Sequence, residues 1–239
     1  MQLDILPHRS GGAAENMAVD FLLLQRYPAA ENARFRHYTW HRPAFTFGYS
    51  QPIEFVRGQL PAGETVELCR RPTGGGVVDH RDDWTYALII PREHELYEAR
   101  APESYRLVHA CIAESLNVLA VPAMLKEPDK APADVSGKLG PGVCFTRAEI
   151  HDVVQPHTGT KIAGAAQKRS KLGMLFQGSI ARSAVAAALD WDKFEELFAD
   201  RLGKALGLPS VPSPWPEISD DEVAGLTEQY SLPEWNEFR

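Results

Sequence analysis

An α+β fold is predicted from two features of the 239-residue sequence. Segments of helical and strand periodicity are interspersed without the regular βαβ alternation of a parallel, doubly wound domain. No repeat or low-complexity tract suggests a solenoid or a linker. The expected organisation is one domain over residues 1–239 with a short C-terminal helical segment.

Residues 14–27 predict a helix that places Met17, Ala18, Phe21 and Leu24 on one side. Phe35, Tyr38 and Trp40 lie in a strand-like stretch, and Phe45, Phe47 and Tyr49 alternate with a period of two. Residues 84–90 read as a buried strand ending at Pro91. Tyr105, Val108, Ile112, Leu116 and Leu119 form one face of a helix over 103–120. Residues 121–143, rich in Pro, Gly, Lys and Ala, predict a long loop. Strands are expected near 150–155 and 172–180, with a tight turn at His157-Thr158-Gly159. Asp190 is the expected N-cap of a helix over 191–206, with Phe194, Leu197, Phe198 and Ala205 inward and Gly207 and Pro209 ending it. Ser219 and Glu222 have the spacing of a capping box at the start of a further helix.

Composition narrows the function. A net charge of −7 is far from the basic footprint of a nucleic-acid binder. No run reaches the ~18 apolar residues of a membrane span, and Met1–Ser10 lacks the apolar core of a secretory signal. Three cysteines cannot all pair within the chain and have no zinc-ligand spacing, so a reduced, cytoplasmic protein is expected.

The run Arg70-Arg71-Pro72-Thr73-Gly74-Gly75-Gly76-Val77-Val78-Asp79-His80 is the most informative. Its glycines admit unusual backbone angles and let a ligand approach the main chain. The two arginines could bind a phosphate or carboxylate bidentately, beside a nest of backbone N–H groups. Neither a Walker loop nor a dinucleotide fingerprint has this pattern. A simple glycine turn between two strands is the plain structural alternative.

The second run is Lys161-Ile162-Ala163-Gly164-Ala165-Ala166-Gln167, followed by Gly178-Ser179-Ile180. A lysine among small apolar residues can be desolvated, with a lowered pKa, or remain charged to stabilise an oxyanion or phosphate. A solvated surface lysine is the structural alternative. Cys144 follows Gly140-Pro141-Gly142 on the expected loop and is a candidate nucleophile, although free cysteines are commonly inert. Cys111, on the apolar face of the 103–120 helix, reads as core, and Cys69 is ambiguous.

Taken together, these runs resemble the lipoate-protein ligase and octanoyltransferase superfamily, which is related to biotin-protein ligases. The resemblance begins at Asn16-Met17-Ala18-Val19-Asp20. It continues through Tyr38-Thr39-Trp40, Pro43, Thr46-Phe47-Gly48-Tyr49-Ser50-Gln51, the glycine and lysine runs and Gly178-Ser179-Ile180, and ends at Tyr230, Glu234, Trp235 and Asn236. It implies a mixed β-sheet flanked by helices, with an acyl chain in a tunnel. By the same resemblance, Arg70, Arg71, Thr73, Gly74, Gly75, Gly76, His80, Gly164, Ala165 and Gln167 bind substrate. Lys161 would contact the activated acyl group. Packing of Trp40, Phe45 and Phe47 nearby is a structural expectation apart from the resemblance.

Two activities are compatible with that resemblance. A transferase takes octanoate from acyl carrier protein and passes it to a lysine of a lipoyl-domain protein, through a cysteine thioester and with no cofactor. A ligase activates free lipoate with ATP and Mg before the same transfer. Cys144-Phe145 upstream of the lysine run resembles the cysteine-dependent octanoyltransferases. So does Arg81-Asp82-Asp83-Trp84-Thr85-Tyr86, where related ligases carry a Gly-Asn pair after the histidine. The absence of an accessory domain after Arg239 points the same way, whereas the third glycine, Gly76, is more ligase-like. A non-catalytic lipoate- or lipoyl-domain-binding protein is the remaining alternative, and the lysine-glutamine run argues against a biotin ligase.

Overall fold

All nine residues of Asp83–Pro91 are buried, as the apolar sequence requires, and they form a central strand of a mixed sheet. The computed structural model describes residues 1–25, 32–128, 148–185 and 188–239. The N-terminal part comprises β1 (Leu3–Ile5), β2 (Arg9–Gly11), α1 (Ala13–Gln25), β3 (Ala33–Trp40), β4 (Ala44–Phe47), α2 (Ile53–Arg57), β5 (Glu67–Arg70), β6 (Val77–Asp79) and β7 (Asp83–Pro91). There follow α3 (Glu95–Glu98), α4 (Ala101–Val118), β8 (Met124–Leu125), β9 (Val153–Val154), β10 (Lys161–Ser170), β11 (Gly173–Ala181), α5 (Trp191–Leu206), β12 (Ser210–Pro212), α6 (Asp220–Ser231) and α7 (Pro233–Asn236).

The large sheet has the order β12-β1-β3-β7-β11-β10-β9-β8, with β2 also beside β3. Pairing is parallel where β1 meets β12 and β3, and where β2 meets β3; the remaining pairs of this sheet are antiparallel. A second sheet, β5-β4-β6, carries the chain into and out of the glycine segment. The expected α+β class and helix-flanked mixed sheet are therefore observed.

Each face of the large sheet has its own core. On one face α4 and α5 cover Phe35, Trp84, Tyr86 and Phe176, and Phe194 meets Trp84 edge-on at 5.1 Å. Burying each such aromatic contributes on the order of 1.5–3 kcal/mol. On the other face α1 and α6 pack Met17, Leu23 and Tyr230 against Ala87 and Leu175. A smaller core of Phe45, Phe47, Val56 and Val77 supports the second sheet.

Helix ends follow the sequence signals. Asp190 accepts a hydrogen bond from the Lys193 N–H at 2.9 Å, and Gly207 leaves α5 in the left-handed region at φ 66°. The His157–Gly159 turn is also present, with Gly159 at φ 70°. Among the described residues no helix is long and apolar enough to cross a membrane.

Several local expectations are corrected. Tyr49 is exposed and lies in a turn after β4 ends, because the chain must leave the sheet to reach α2. Residues 161–170, unassigned by periodicity, form the strand β10, fixed by pairing with β11 and β9. Ala205 faces solvent, and Leu202 and Leu206 continue the inner stripe of α5. Ser219 is the N-cap of α6, but its side chain makes no capping hydrogen bond, so the expected box is not formed. Much of the expected loop, from residue 129 to 143, lies outside the described residues.

His37 ties acid stability to this core. Its ring stacks on Trp84 at 4.3 Å, and Nδ1–H donates to the Thr85 carbonyl at 2.8 Å. Burial pushes its pKa down to about 4. The unfolded chain binds this proton more readily, so the stabilisation is complete above about pH 6.5 and declines as pH falls towards 4. His37→Asn should therefore flatten the loss of stability between pH 7 and 4 by up to about 3 kcal/mol. Urea unfolding of both proteins across that range checks it, and parallel pH curves would contradict it.

Candidate functional site

The α1 face of the large sheet is not fully covered. Where α1 ends its coverage, the segment from Arg71 to Val78 crosses over β10 and β11 and roofs a pocket. Gly75, at φ 91°, sits so close to the sheet that an added Cβ would lie 3.6 Å from the Ala166 methyl. The floor is a row across four strands, in which Gly164 pairs with Ser179, Ser179 with Thr85, and Thr85 with Tyr38. Ala165, Ala166, Gln177 and Gly178 extend it, and Met17, Thr46, Arg71, Val78 and His80 complete the walls. The small residues of the lysine run keep this floor open; larger side chains would fill it.

The glycine turn is organised from inside by Arg71. Its guanidinium donates to the carbonyls of Gly74 and Gly76, each at 2.9 Å, and to Thr46 Oγ1 at 2.8 Å. The Gln51 amide donates to the Gly75 carbonyl at 3.0 Å. Thr73 donates to Gln177 Oε1 at 2.8 Å, which fastens the segment to the floor. Gly48 is a packing requirement of the same turn, because a Cβ there would stand 2.0 Å from the Gly75 carbonyl oxygen.

Arg70 belongs elsewhere. Its guanidinium donates to the carbonyls of Tyr49, Gln51, Trp235 and Asn236, and lies over the rings of Phe47 and Phe238. Asn236 Oδ1 accepts from the Arg70 N–H at 2.7 Å. This arginine clasps the C-terminal segment against the second sheet, so the expected anion clamp of two neighbouring arginines is corrected: Arg71 alone lines the pocket, and its guanidinium holds the glycine turn. Gln167 is likewise corrected: its Oε1 accepts from Ser104 of α4, on the opposite face of the sheet.

His80 sits at the pocket wall, stacked on Trp40 at 4.1 Å. Its Nδ1 is 2.7 Å from Asp83 Oδ2, and its Nε2 is 2.7 Å from Thr46 Oγ1. Asp83 Oδ2 also accepts from Thr85 at 2.9 Å and from Ser179. The carboxylate stands between serine and histidine, so the imidazole has no path to deprotonate Ser179. This order differs from a Ser-His-Asp relay and excludes serine nucleophilic catalysis by these groups. Asp83, Thr46 and Ser179 were absent from the sequence-based site. Only their positions inside quoted motifs hinted at them.

Lys161 is 7% exposed, and its Nζ lies 2.7 Å from Asp152 Oδ2. Its ammonium overhangs Gly164, where an added Cβ would come within 2.6 Å of Nζ. The solvated surface lysine is thereby replaced by a buried pair at the pocket edge. Asp152 is positioned by the loop at its back: its Oδ2 accepts from the Glu149 N–H at 2.7 Å, and its backbone carbonyl from the Lys126 N–H at 2.8 Å. His109 donates through Nδ1 to the carbonyl of His151, a residue held at φ 73°.

Of the cysteines, Cys69 and Cys111 are buried, and burial pushes each thiol up to about 12, too high for a thiolate at neutral pH. Cys144 lies outside the described residues.

A family model for the lipoyl protein ligase A/B catalytic domain matches residues 12–220. An octanoyltransferase LipM from Halalkalibacterium halodurans is 31% identical over 189 residues, covering 77% of this chain and 66% of that protein, just under two thirds of its length. A second, from Symbiobacterium thermophilum, is 28% identical over 96% of this chain and 95% of its own. Among solved structures, a lipoate-protein ligase A bound with ATP superposes with a TM-score of 0.68 at 18% identity, covering 99% of this chain and 98% of that one. A bi-partite lipoate protein ligase from Thermoplasma acidophilum gives 0.66 at 17% identity, covering 99% and 96%. At these identities the two structures speak for the fold.

The packing of the turn gives a paired test. Gly48→Ala should displace the glycine segment and lower stability by about 1–3 kcal/mol. Gly74→Ala meets nothing within 4 Å and should stay within about 0.5 kcal/mol of wild type. Thermal denaturation of both variants decides, and equal midpoints would refute the close approach.

Proposed function

Because the chain belongs to the lipoyl protein ligase A/B catalytic-domain family, we propose that it transfers an octanoyl or lipoyl group onto a lysine of a lipoyl-domain protein. The observation that carries the reading is the Lys161 ammonium, paired with Asp152 and held over Gly164 at the edge of a pocket floored by small residues and lined mainly by apolar surface. Such a pocket suits a saturated chain, and a cation at its rim suits the oxygen that gains charge when an acyl carbonyl is attacked. A cytoplasmic setting fits the free thiols of Cys69 and Cys111.

The favoured donor is an octanoyl thioester on acyl carrier protein. Cys144 as thiolate attacks the carbonyl carbon, a new C–S bond forms as the C–S bond to the carrier breaks, and the carrier leaves as its thiolate. The neutral acceptor lysine amine then attacks the acyl-enzyme, the amide C–N bond forms as the C–S bond to Cys144 breaks, and the amine's proton passes to the departing sulfur. Lys161 stabilises both tetrahedral oxyanions. Arg71, Thr73, Gly74, Gly75, Gly76, His80, Gly164 and Ala165 shape the acyl site. Both steps conserve charge and need no nucleotide.

The runner-up is ATP-dependent ligation through lipoyl-AMP. The two readings share the pocket and the final amide, and differ in the source of the activated carbonyl. Burial of Cys69 and Cys111 makes neither a thiolate at neutral pH, so under the transferase reading the nucleophile is Cys144.

Intact mass after incubation with octanoyl acyl carrier protein, without ATP, separates these readings. Wild type should gain one octanoyl group and Cys144→Ala none. Lipoylation of a lipoyl domain that instead requires ATP, with no adduct on the enzyme, would make the protein a ligase. In either case Lys161→Gln should lower kcat/KM by roughly 10²–10³. Retention of near-wild-type turnover would remove Lys161 from the mechanism.

A further inference from the structure

The pocket floor has a direction. Lys161 overhangs Gly164 on β10, and the row Gly164–Ser179–Thr85–Tyr38 runs from there across β11 and β7 to β3. Three interstrand steps of about 4.8 Å make that row roughly 14 Å long. An extended chain advances roughly 1.2 Å per bond, so eight carbons span roughly 9 Å. The van der Waals thickness of the groups at either end takes up the difference.

Tyr38 of β3 stands at the far end of the row, and Met17 reaches into the same pocket from α1, with its sulfur against the Gln177 side chain of β11. Both are tied to one buried carboxylate, Tyr38 directly and Met17 through Gln177. Tyr38 donates its hydroxyl to Asp20 at 3.1 Å, and its ring lies 4.0 Å beneath the Arg36 guanidinium. Gln177 Nε2 donates to Asp20 at 2.7 Å and lies 3.1 Å from the Met17 sulfur. Met17 is 1% exposed, and behind it is the packed core between α1 and the sheet. A methionine is ordinarily an adaptable filler, but here its sulfur and its neighbours have fixed partners.

We propose that Met17 and Tyr38 form the wall that sets acyl-chain length, with Met17 the residue that excludes chains longer than eight carbons. This rests on the acyl-transfer reading and on the carbonyl lying beneath Lys161. Met17 is the informative position because its thioether is a weak acceptor, so truncation opens space while leaving the Asp20 hydrogen bonds in place.

The test is kcat/KM for transfer from carrier-protein thioesters of six, eight, ten and twelve carbons to a lipoyl domain. Wild type should peak at eight. Met17→Ala should raise the twelve-to-eight carbon ratio by at least about tenfold, the value of two or more buried methylenes. Met17→Val, a milder truncation that preserves more of the core, should give an intermediate ratio. These ratios do not depend on the fraction of enzyme folded. A Met17→Ala profile that still peaks at eight and falls as steeply would overturn the ruler while leaving acyl transfer intact. A wild type that moves no acyl chain at all would instead overturn the acyl-transfer reading, and the ruler with it.

Discussion

The buried pair of Asp20 and Arg36 is the constraint to which the site is anchored. Arg36 Nε donates to Asp20 at 2.7 Å, both side chains are at most 1% exposed, and burial pushes the carboxyl pKa upward against the opposing pull of Arg36, Gln177 and Tyr38. A buried ion pair adds little net stability over an apolar pair of equal volume, but removing one partner costs about 3–5 kcal/mol. Its role here is geometric. Asp20 joins α1 to β3 through Arg36 and Tyr38 and to β11 through Gln177, and Gln177 carries the connection on to Thr73 in the glycine segment. Helix, sheet and pocket roof are registered to one carboxylate.

A second division of labour separates adjacent arginines. Arg71 turns towards the pocket and takes up carbonyls of the glycine turn, and Arg70, fully buried, turns away from it and takes up carbonyls of the C-terminal segment. The roof of the pocket is therefore tied on one side to the floor, through Thr73, and on the other to α7, through Arg70, Trp235 and Asn236. A cleft roofed by a glycine-rich segment needs such bracing, since glycine itself supplies no side-chain contacts.

The electrostatics of the pocket also divide. On the His80 side, the Asp83 carboxylate collects hydroxyl and imidazole donors and is spent on structure. On the β10 side, a single ammonium and carboxylate, Lys161 and Asp152, stand at the rim. The proposed acyl transfer rests on the second arrangement, whose cation pairs with Asp152, and not on the hydroxyl and imidazole cluster that surrounds Asp83 beside Ser179. Ligases and transferases of the family can share this scaffold because both present an activated carbonyl to an amine.

Much of the fold was legible because it is locally encoded. The buried run at 83–91, the helical faces of α4 and α5, the Asp190 cap and the Gly207 stop all follow from periodicity and end chemistry. The glycine and lysine runs were legible as special through their composition. β10 was not, because Lys161–Ser170 is built of small and charged residues with no strand period, and it is a strand only because β11 and β9 flank it. The opposite fates of Arg70 and Arg71, the turn of Gln167 towards α4, and the partnership of Gln177 with Asp20 across 157 residues were decided by the tertiary structure. The sequence by itself determined which runs are unusual in composition and which segments are regular, since those properties reside in side chains and short-range periodicity. Which of their residues meet, on which face and at what distance, was left to strand order and register, which depend on contacts between segments far apart in the chain.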